Sequence, residues 1–270
     1  ILIFLIGFFS DNLIISSAIK RLTLQVIIVV LFVIFLDIKI NRTEIIMIDN
    51  VIDNYYFKII FPSLCFLIVI NGSNFMDGIN TNLIGYYLSV YISLFFLLKN
   101  NVHLSLDLEI QKIIIALGIL YFFNFLEKLY LGDSGAYLIS LFTGYYLIQL
   151  ANLNITISPF FIALLLWHPS YELLFCIIRK LNLNKSPMLP DKKHLHHVIF
   201  LFVKKKTKKF IFPLNYVNTF SGLIISIYNF LLFMVAINYY NNSQIMILLL
   251  VFNLLVYSVT YYRLSKLTII

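Results

Sequence analysis

The sequence predicts an all-α fold, a polytopic transmembrane helix bundle of about eight full spans plus a truncated N-terminal span, with one long cytoplasmic loop. Three observations carry that reading. Of 270 residues, 61% are hydrophobic and only 12% charged, with a mean hydropathy of +0.94. A soluble domain holds roughly 45–50% apolar residues, and no water-soluble surface can be built from this composition. Uncharged apolar runs recur along the whole chain, and at about 1.5 Å per residue a run of roughly 17–25 residues crosses a hydrocarbon core about 30 Å thick. Lys and Arg fall unevenly on alternate connections, the pattern of a chain threaded through a membrane.

Taken in order, Ile1 to Phe9 is apolar but as helix covers only about 14 Å, so it reads as the tail of a span whose beginning lies outside the sequence. Apolar runs then fall at 22–36, 57–70, 83–98, 110–126, 134–151, 158–178, 216–239 and 244–262. Ser158-Pro159 suits a helix start, because proline at the first helical position gives up an N–H that has no partner anyway. Pro169 falls inside a run and is expected to kink or break it. Residues 1–270 read as a single membrane-embedded domain, with one sizeable soluble piece, a histidine- and lysine-rich loop at 179–215.

If the spans alternate, the segments 10–21, 71–82, 127–133, 179–215 and 263–270 share one side. Of the 20 Lys and Arg, only Lys39, Arg42, Lys58, Lys99 and Lys112 fall on the other side. The first side is therefore expected to be cytoplasmic. This distribution also accounts for the net charge of +8 without nucleic acid, since no basic face carries stacking aromatics outside the apolar runs. Cys65 and Cys176 both lie in apolar runs, where a thiol is a small hydrophobe, so no disulfide framework is expected.

Four polar clusters land on this one side: Gly7 to Asn12 with Lys20-Arg21 following, Asn71 to Asn82, Phe123 to Gly135, and Leu189 to His197. Carboxylates at the ends of apolar helices are tolerated where they pair, bind a cation or face a watery cavity. Asp11, Asp77 and Asp133 come from three segments and supply hard oxygen ligands of the kind that suit Mg²⁺, which completes its shell with water and substrate phosphates. Gly78, Gly132 and Gly135 let backbone N–H groups approach phosphate, and Lys128 adds positive charge. The chemistry indicated is phosphoryl transfer, in which positioning and charge neutralisation supply most of the catalysis.

Duller readings stand beside these. Asp77-Gly78 and Gly132 to Gly135 also read as interfacial turns and helix caps. Asn74 and Asn124 also read as hydrogen-bonding residues between packed helices. Three histidines within four positions lean towards function, and a lysine-rich surround favours phosphate contacts over zinc. Lys204 to Lys209 reads as a solvated segment facing anionic lipid. Asp191 reads as a turn cap, and Glu172 is left open.

Together the clusters resemble the polyprenyl-phosphate N-acetylhexosamine-1-phosphate transferases, and the short histidine segment is most similar to the branch that initiates O-antigen and teichoic acid synthesis. Asn71 to Asn82 looks like the family's Asn-rich Asp-Gly motif. Phe123 to Gly135 looks like its Phe-Asn and Gly-Asp-Ser-Gly segment, and His194-Leu195-His196-His197 like its His-x-His-His motif. The resemblance implies that Asp133, with Asp77, holds Mg²⁺, with Mn²⁺ as substitute. It implies that Asn74, Asp77, Asn80, Asn124, Lys128 and Tyr130 line the substrate site. Asp11, Asp133, His194, His196 and His197 would be catalytic, with Asp11 near the lipid phosphate.

The implied reaction transfers a sugar 1-phosphate from a UDP-N-acetylhexosamine to undecaprenyl phosphate, releasing UMP, at the cytoplasmic face of a bacterial inner membrane. A homodimer is compatible with it. Two positions depart from the family pattern: Ser10 stands for the first of its paired aspartates, and Asn80 for a further aspartate. The family's leading spans are also absent from the sequence. The rival readings are a catalytically inactive relative with a structural or lipid-binding role and a transporter or flippase, the latter requiring polar groups near the membrane midplane.

Overall fold

The computed structural model describes residues 1–101, 107–189, 191, 193–207 and 214–268. Among these there are twelve α-helices and no strand: α1 (Leu2–Asp11), α2 (Ala18–Phe35), α3 (Ile46–Asp49), α4 (Phe57–Met76), α5 (Asn82–Asn101), α6 (Asp107–Phe125), α7 (Gly132–Leu153), α8 (Pro159–Leu165), α9 (Trp167–Asn182), α10 (Leu195–Thr207), α11 (Leu214–Ala236) and α12 (Ser243–Thr268). A short 3-10 turn at Ile237–Tyr239 follows α11. Every apolar run read from the sequence coincides with one of these helices or with the α8–α9 pair. Among the described residues six helices are long and apolar enough to cross a membrane, α2, α4, α5, α7, α11 and α12, and up to seven segments qualify if α8 and α9 count as one bent span. Leu24, Ile27, Leu31, Ile34 and Phe35 of α2 are all exposed. A helix so apolar on its outer face is suited to lipid and not to water.

The break between α8 and α9 bends the path by 70°, and it falls at Leu166, three residues ahead of the expected proline. The reason is the geometry of the helix ladder. Pro169 has no N–H to donate back to the carbonyl four residues earlier, and its ring crowds that carbonyl, so the ladder fails at residues 165–166. Upstream, Ser158 Oγ accepts from the Phe160 N–H and Pro159 opens α8, as the Ser-Pro pair predicts.

The chain forms two compact units. The first contains Ile1–Phe75, Leu131–Pro190 and Asn241–Ile247, and the second contains Met76–Tyr130, Asp191–Tyr240 and Leu248–Ile270. In the first unit α1 packs along α7 and against α2, around a core that includes Ile3, Ile6, Val29, Val33, Phe66, Ile70, Tyr137 and Leu141. Their spacings of three and four place each set on one helix face. A Cβ on Gly7 would lie 2.3 Å from Ser134 Cα, so α1 and α7 approach more closely than any side chain allows, in the manner of small-residue packing in membranes.

In the second unit α5 packs between α11 and α6, and α10 lies on α11. Tyr86, Tyr87, Val90, Tyr91 and Leu94 of α5 are buried, with Tyr86 edge-on to Phe233 at 5.6 Å. Gly85 and Gly222 again permit the approach: a Cβ on Gly85 would meet Ser226 Oγ at 2.4 Å, and one on Gly222 would meet the Asn80 carbonyl oxygen at 1.9 Å. The segment expected as a loop at 179–215 contains α10, whose Leu195 and Val198 are buried. The short apolar stretch Val198 to Val203 explains why this piece is helical.

Candidate active site

In the first unit the C-terminal ends of α1 and α4 meet the N-terminal ends of α2 and α7, as an alternating helical chain requires. Asp133 is at their centre. Its Oδ2 accepts from the Ser10 hydroxyl at 2.6 Å, the Arg21 guanidinium at 2.8 Å and the Tyr137 hydroxyl at 3.3 Å, and its Oδ1 accepts from the Asn74 amide at 2.5 Å. Arg21 also donates to Ser10 Oγ at 2.8 Å. Hydroxyl, carboxylate and guanidinium thus close a triangle. The Arg21 and Asp133 side chains are 30% and 21% exposed, which places the ion pair between the weak surface case and the costly buried one.

Asp11 acts on the same helix end. The first N–H groups of a helix have no intrahelical partner, and at α7 the preceding residue supplies no side-chain cap. Asp11 reaches across from α1 instead, accepting from the Asp133 N–H at 2.9 Å, the Ser134 N–H at 3.2 Å and the Ser134 hydroxyl at 3.0 Å. Gly132 makes this possible. Its φ is +65°, and a Cβ there would come within 2.7 Å of Asp11 Oδ2, so both conformation and space call for glycine.

One helical turn deeper lies a second polar layer. Gln25 follows Arg21 by four residues on α2, Asn71 precedes Asn74 by three on α4, and Tyr137 follows Asp133 by four on α7. Asn71 donates to Gln25 Oε1 at 3.0 Å, and Gln25 is fully buried. Sequence reasoning passed over Arg21, Gln25, Asn71 and Tyr137 as site residues. The available signal was Gln25, a polar side chain inside an apolar run and on the Arg21 face of its helix.

In the second unit the polar centre is the turn leading into α5. Thr81 has φ +66°, a left-handed conformation that is costly for a β-branched residue. Three contacts hold it: its N–H donates to Asn124 Oδ1 at 2.6 Å, its hydroxyl to the Thr219 carbonyl at 2.9 Å, and its carbonyl accepts from Ser226 Oγ at 2.7 Å. Asn124 also donates to the Leu129 carbonyl at 2.7 Å, which ties the α5 turn to the α6 exit. Asn80 N–H donates to Asn218 Oδ1 at 3.2 Å, and Asn82 Nδ2 to the Met76 carbonyl at 2.7 Å. Asn80 Nδ2 and Asn82 Oδ1 are buried and have no hydrogen-bond partner among the described residues, each at a cost of about 1–3 kcal/mol.

His194 immediately precedes α10, and His196 and His197 lie in its first turn, with ring centroids 4.1 to 6.1 Å apart. A Cβ on Gly78 would lie 2.1 Å from His196 Nε2. The Asp-Gly and histidine clusters, far apart in sequence, are therefore in contact. Asp77 is half-buried beside Gly78, whereas Lys128 and Tyr130 are exposed on the connection between α6 and α7. Asp191 Oδ1 accepts from the Lys193 N–H at 2.9 Å, the expected turn cap. Glu172 is buried on α9, its Oε2 3.9 Å from His168 Nε2. Pro190, Lys192, Lys208 and Lys209 lie outside the described residues.

In the first unit Asp133 could hold a divalent cation, since the donors on its carboxylate are all side chains that can turn away, whereas both Asp11 oxygens accept backbone N–H groups that fix the start of α7. The partners of the Asp133 carboxylate oxygens are all donors and one is a full cation, so this carboxylate already gathers positive charge at a partly exposed position. A hard cation with a water-rich shell suits the same oxygens.

These features are those of a multi-helix protein suited to a membrane, with a carboxylate centre at converging helix ends. The family model described as glycosyl transferase family 4 matches residues 1–151, a stretch that includes Ser10, Arg21, Asn74, Asp77, Asn124 and Asp133, and the chain belongs to that family. It is similar to the undecaprenyl-phosphate alpha-N-acetylglucosaminyl 1-phosphate transferase of Thermotoga maritima, with 37% identity over 71 residues, 26% of this chain and 23% of the relative. It is also similar to the probable undecaprenyl-phosphate N-acetylglucosaminyl 1-phosphate transferase of Bacillus subtilis, with 35% identity over 105 residues, 37% of this chain and 28% of the relative. The matched segments thus span about a quarter of each curated relative's length.

Proposed function

We propose that this chain carries the transferase activity named for its relatives, moving an N-acetylhexosamine 1-phosphate from a UDP-sugar to undecaprenyl phosphate at the cytoplasmic face of a bacterial membrane. The observation that carries this is the Asp133 centre: one carboxylate, ringed by Ser10, Arg21 and Asn74 at converging helix ends, in a family 4 chain. An oxygen of the lipid phosphate attacks the phosphorus that bears the sugar, the bond to the UMP phosphate oxygen breaks, and UMP leaves with that electron pair. Asp133 would hold Mg²⁺ or Mn²⁺, which would supply positive charge to offset the diphosphate.

The chain's own residues do the positioning. Asp11 fixes the start of α7 and therefore the place of Asp133, while Asn74 and Ser10 orient its two oxygens. In the second unit, Asn80 Nδ2 and Asn82 Oδ1, buried without a partner among the described residues, and the histidines beside Gly78 suit the polar edges of a nucleotide sugar. The product would begin a cell-envelope polysaccharide.

The test supplies the protein, in lipid nanodiscs, with undecaprenyl phosphate, Mg²⁺ and a panel of UDP-sugars, and measures UMP. Release with a UDP-N-acetylhexosamine is expected. No release above an Asp133→Asn control with any donor would overturn the assignment and leave the inactive relative, a reading favoured by Ser10 and by the closure of Asp133 with Arg21.

A further inference from the structure

Arg21 stands where a cation is needed. Its Nη1 is 2.8 Å from Asp133 Oδ2 and 2.8 Å from Ser10 Oγ, and Ser10 donates to the same Asp133 oxygen at 2.6 Å. Ser10 is buried, and Asp11, next in the chain, is held by three contacts at the start of α7, so the hydroxyl that steadies Arg21 is itself fixed. Two cations cannot use one carboxylate oxygen without strong mutual repulsion, because like charges within about 4 Å cost several kcal/mol outside bulk water. We propose that Arg21 is a resident counter-ion of Asp133, a positioning residue that competes with the divalent cation and sets its affinity: metal entry displaces Arg21, and metal loss returns it.

The proposal rests on the reading of Asp133 as the metal ligand. It goes further in assigning a role to Arg21 and to the hydroxyl of Ser10. The exchange is also chemically sensible. A carboxylate at a helix end between apolar spans is costly to leave unpaired, and a mobile guanidinium keeps it partnered while the ion is away. The half-exposed position of the pair leaves Arg21 room to withdraw into water.

The experiment titrates Mn²⁺ into the purified protein in nanodiscs and follows the free-ion electron paramagnetic resonance signal, with no substrate present. Arg21→Met is expected to bind Mn²⁺ about tenfold or more tightly than wild type, the factor that loss of a competing, partly exposed ion pair provides. Arg21→Lys, which keeps the charge, should stay within about threefold of wild type. Ser10→Ala, which loosens Arg21 without touching the charge, should tighten Mn²⁺ binding by about two- to fivefold. It keeps the test open if Arg21→Met does not fold.

Thermal unfolding adds a signature that a merely structural arginine would not give. Arg21→Met should melt below wild type in EDTA and recover with saturating Mn²⁺. If Asp133→Asn, still folded by its melting curve, binds Mn²⁺ as wild type does, the metal reading itself falls. If Asp133→Asn loses binding but Arg21→Met and Ser10→Ala bind no more tightly than wild type, Asp133 stands and the counter-ion role is overturned.

Discussion

The two units build polar centres of opposite kind. In the first, a full charge pair, Arg21 with Asp133, sits partly exposed at converging helix ends and is trimmed by neutral donors. In the second, the groups around the α5 turn are neutral amides and hydroxyls, mostly buried, and they answer to backbone: Asn124 bridges Thr81 N–H and the Leu129 carbonyl, and α11 receives the turn through Thr219, Gly222 and Ser226. Under the counter-ion proposal, the first arrangement exchanges one cation for another with little movement of the backbone. The second fixes a strained turn in place and leaves Asn80 and Asn82 with unmet hydrogen-bonding capacity. Charge chemistry belongs to the one and shape to the other.

The sharpest way to break this comparison is to neutralise the charge centre. Asp133→Asn keeps the volume and removes the carboxylate, and UMP release should fall by at least about a thousandfold, the scale on which a principal electrostatic contributor to a transition state is lost. Near-wild-type turnover in a folded Asp133→Asn protein would end the reading of the first unit. The second unit should fail differently, through folding. In Gly222→Ala the new methyl would lie 1.9 Å from the Asn80 carbonyl oxygen, which is backbone and cannot swing aside, whereas a Cβ on Gly118 meets nothing within 4 Å. Gly222→Ala should destabilise by about 3 kcal/mol or more, as overpacking against a fixed neighbour does. Gly118→Ala should be neutral or stabilising by up to about 1 kcal/mol, through helix propensity. Equal melting temperatures for the two variants would show that α11 is not the seat of the α5 turn.

Much of this contrast was legible in the sequence, and the remainder has identifiable causes. Apolar runs located the helices because span length and hydropathy are set by the bilayer and not by tertiary detail. The meeting of Ser10 and Asp11 with Asp133 followed from alternation of the spans, and the Ser158-Pro159 helix start followed from local capping chemistry. Arg21 was visible as a basic residue marking a side and following the first polar cluster, but not as the partner of Asp133, because a charge that supports topology and a charge that binds a carboxylate look alike until the partner is known. Thr81 gave no sign of its positive φ, since nothing in Asn-Thr-Asn announces a left-handed residue where glycine would be comfortable. The histidines were assigned to a loop because the apolar stretch after them is shorter than a span. It is long enough for a surface helix, and α10 is that helix.

Ser10 offers a milder test of the first unit. Replacing it with Asp puts a second carboxylate beside Asp133 and Arg21, and the guanidinium can pair with either. Repulsion between the two acids is then offset by Arg21 or by a bound divalent ion, so activity in Ser10→Asp should equal or exceed wild type by up to about tenfold, within the range of one charge-assisted contact. A collapse in UMP release would mean that the hydroxyl has a role of its own that an acid cannot replace.

The smallest expected effect isolates a carboxylate outside the Asp133 centre that also takes a hydroxyl. Asp49, in the connection between α2 and α4, accepts from the Thr43 hydroxyl at 2.7 Å and the Thr43 N–H at 2.8 Å. The Thr43 hydroxyl is the chief cause that holds its carboxyl below the ordinary 3.8, against a desolvation effect of opposite sign. A group whose folded pKa is depressed contributes stability that is fully present above its unfolded value and is lost as pH falls through the folded one. Wild type should therefore melt slightly above Asp49→Asn from neutral pH down to about 4.5, by a small margin because solvent screens the contact. The gap should narrow as pH falls below the ordinary 3.8 and through the lower folded value. A gap that stays constant however far the pH is lowered would show that the contact with Thr43 works through shape and not charge, which would make this connection resemble the second unit more than the first.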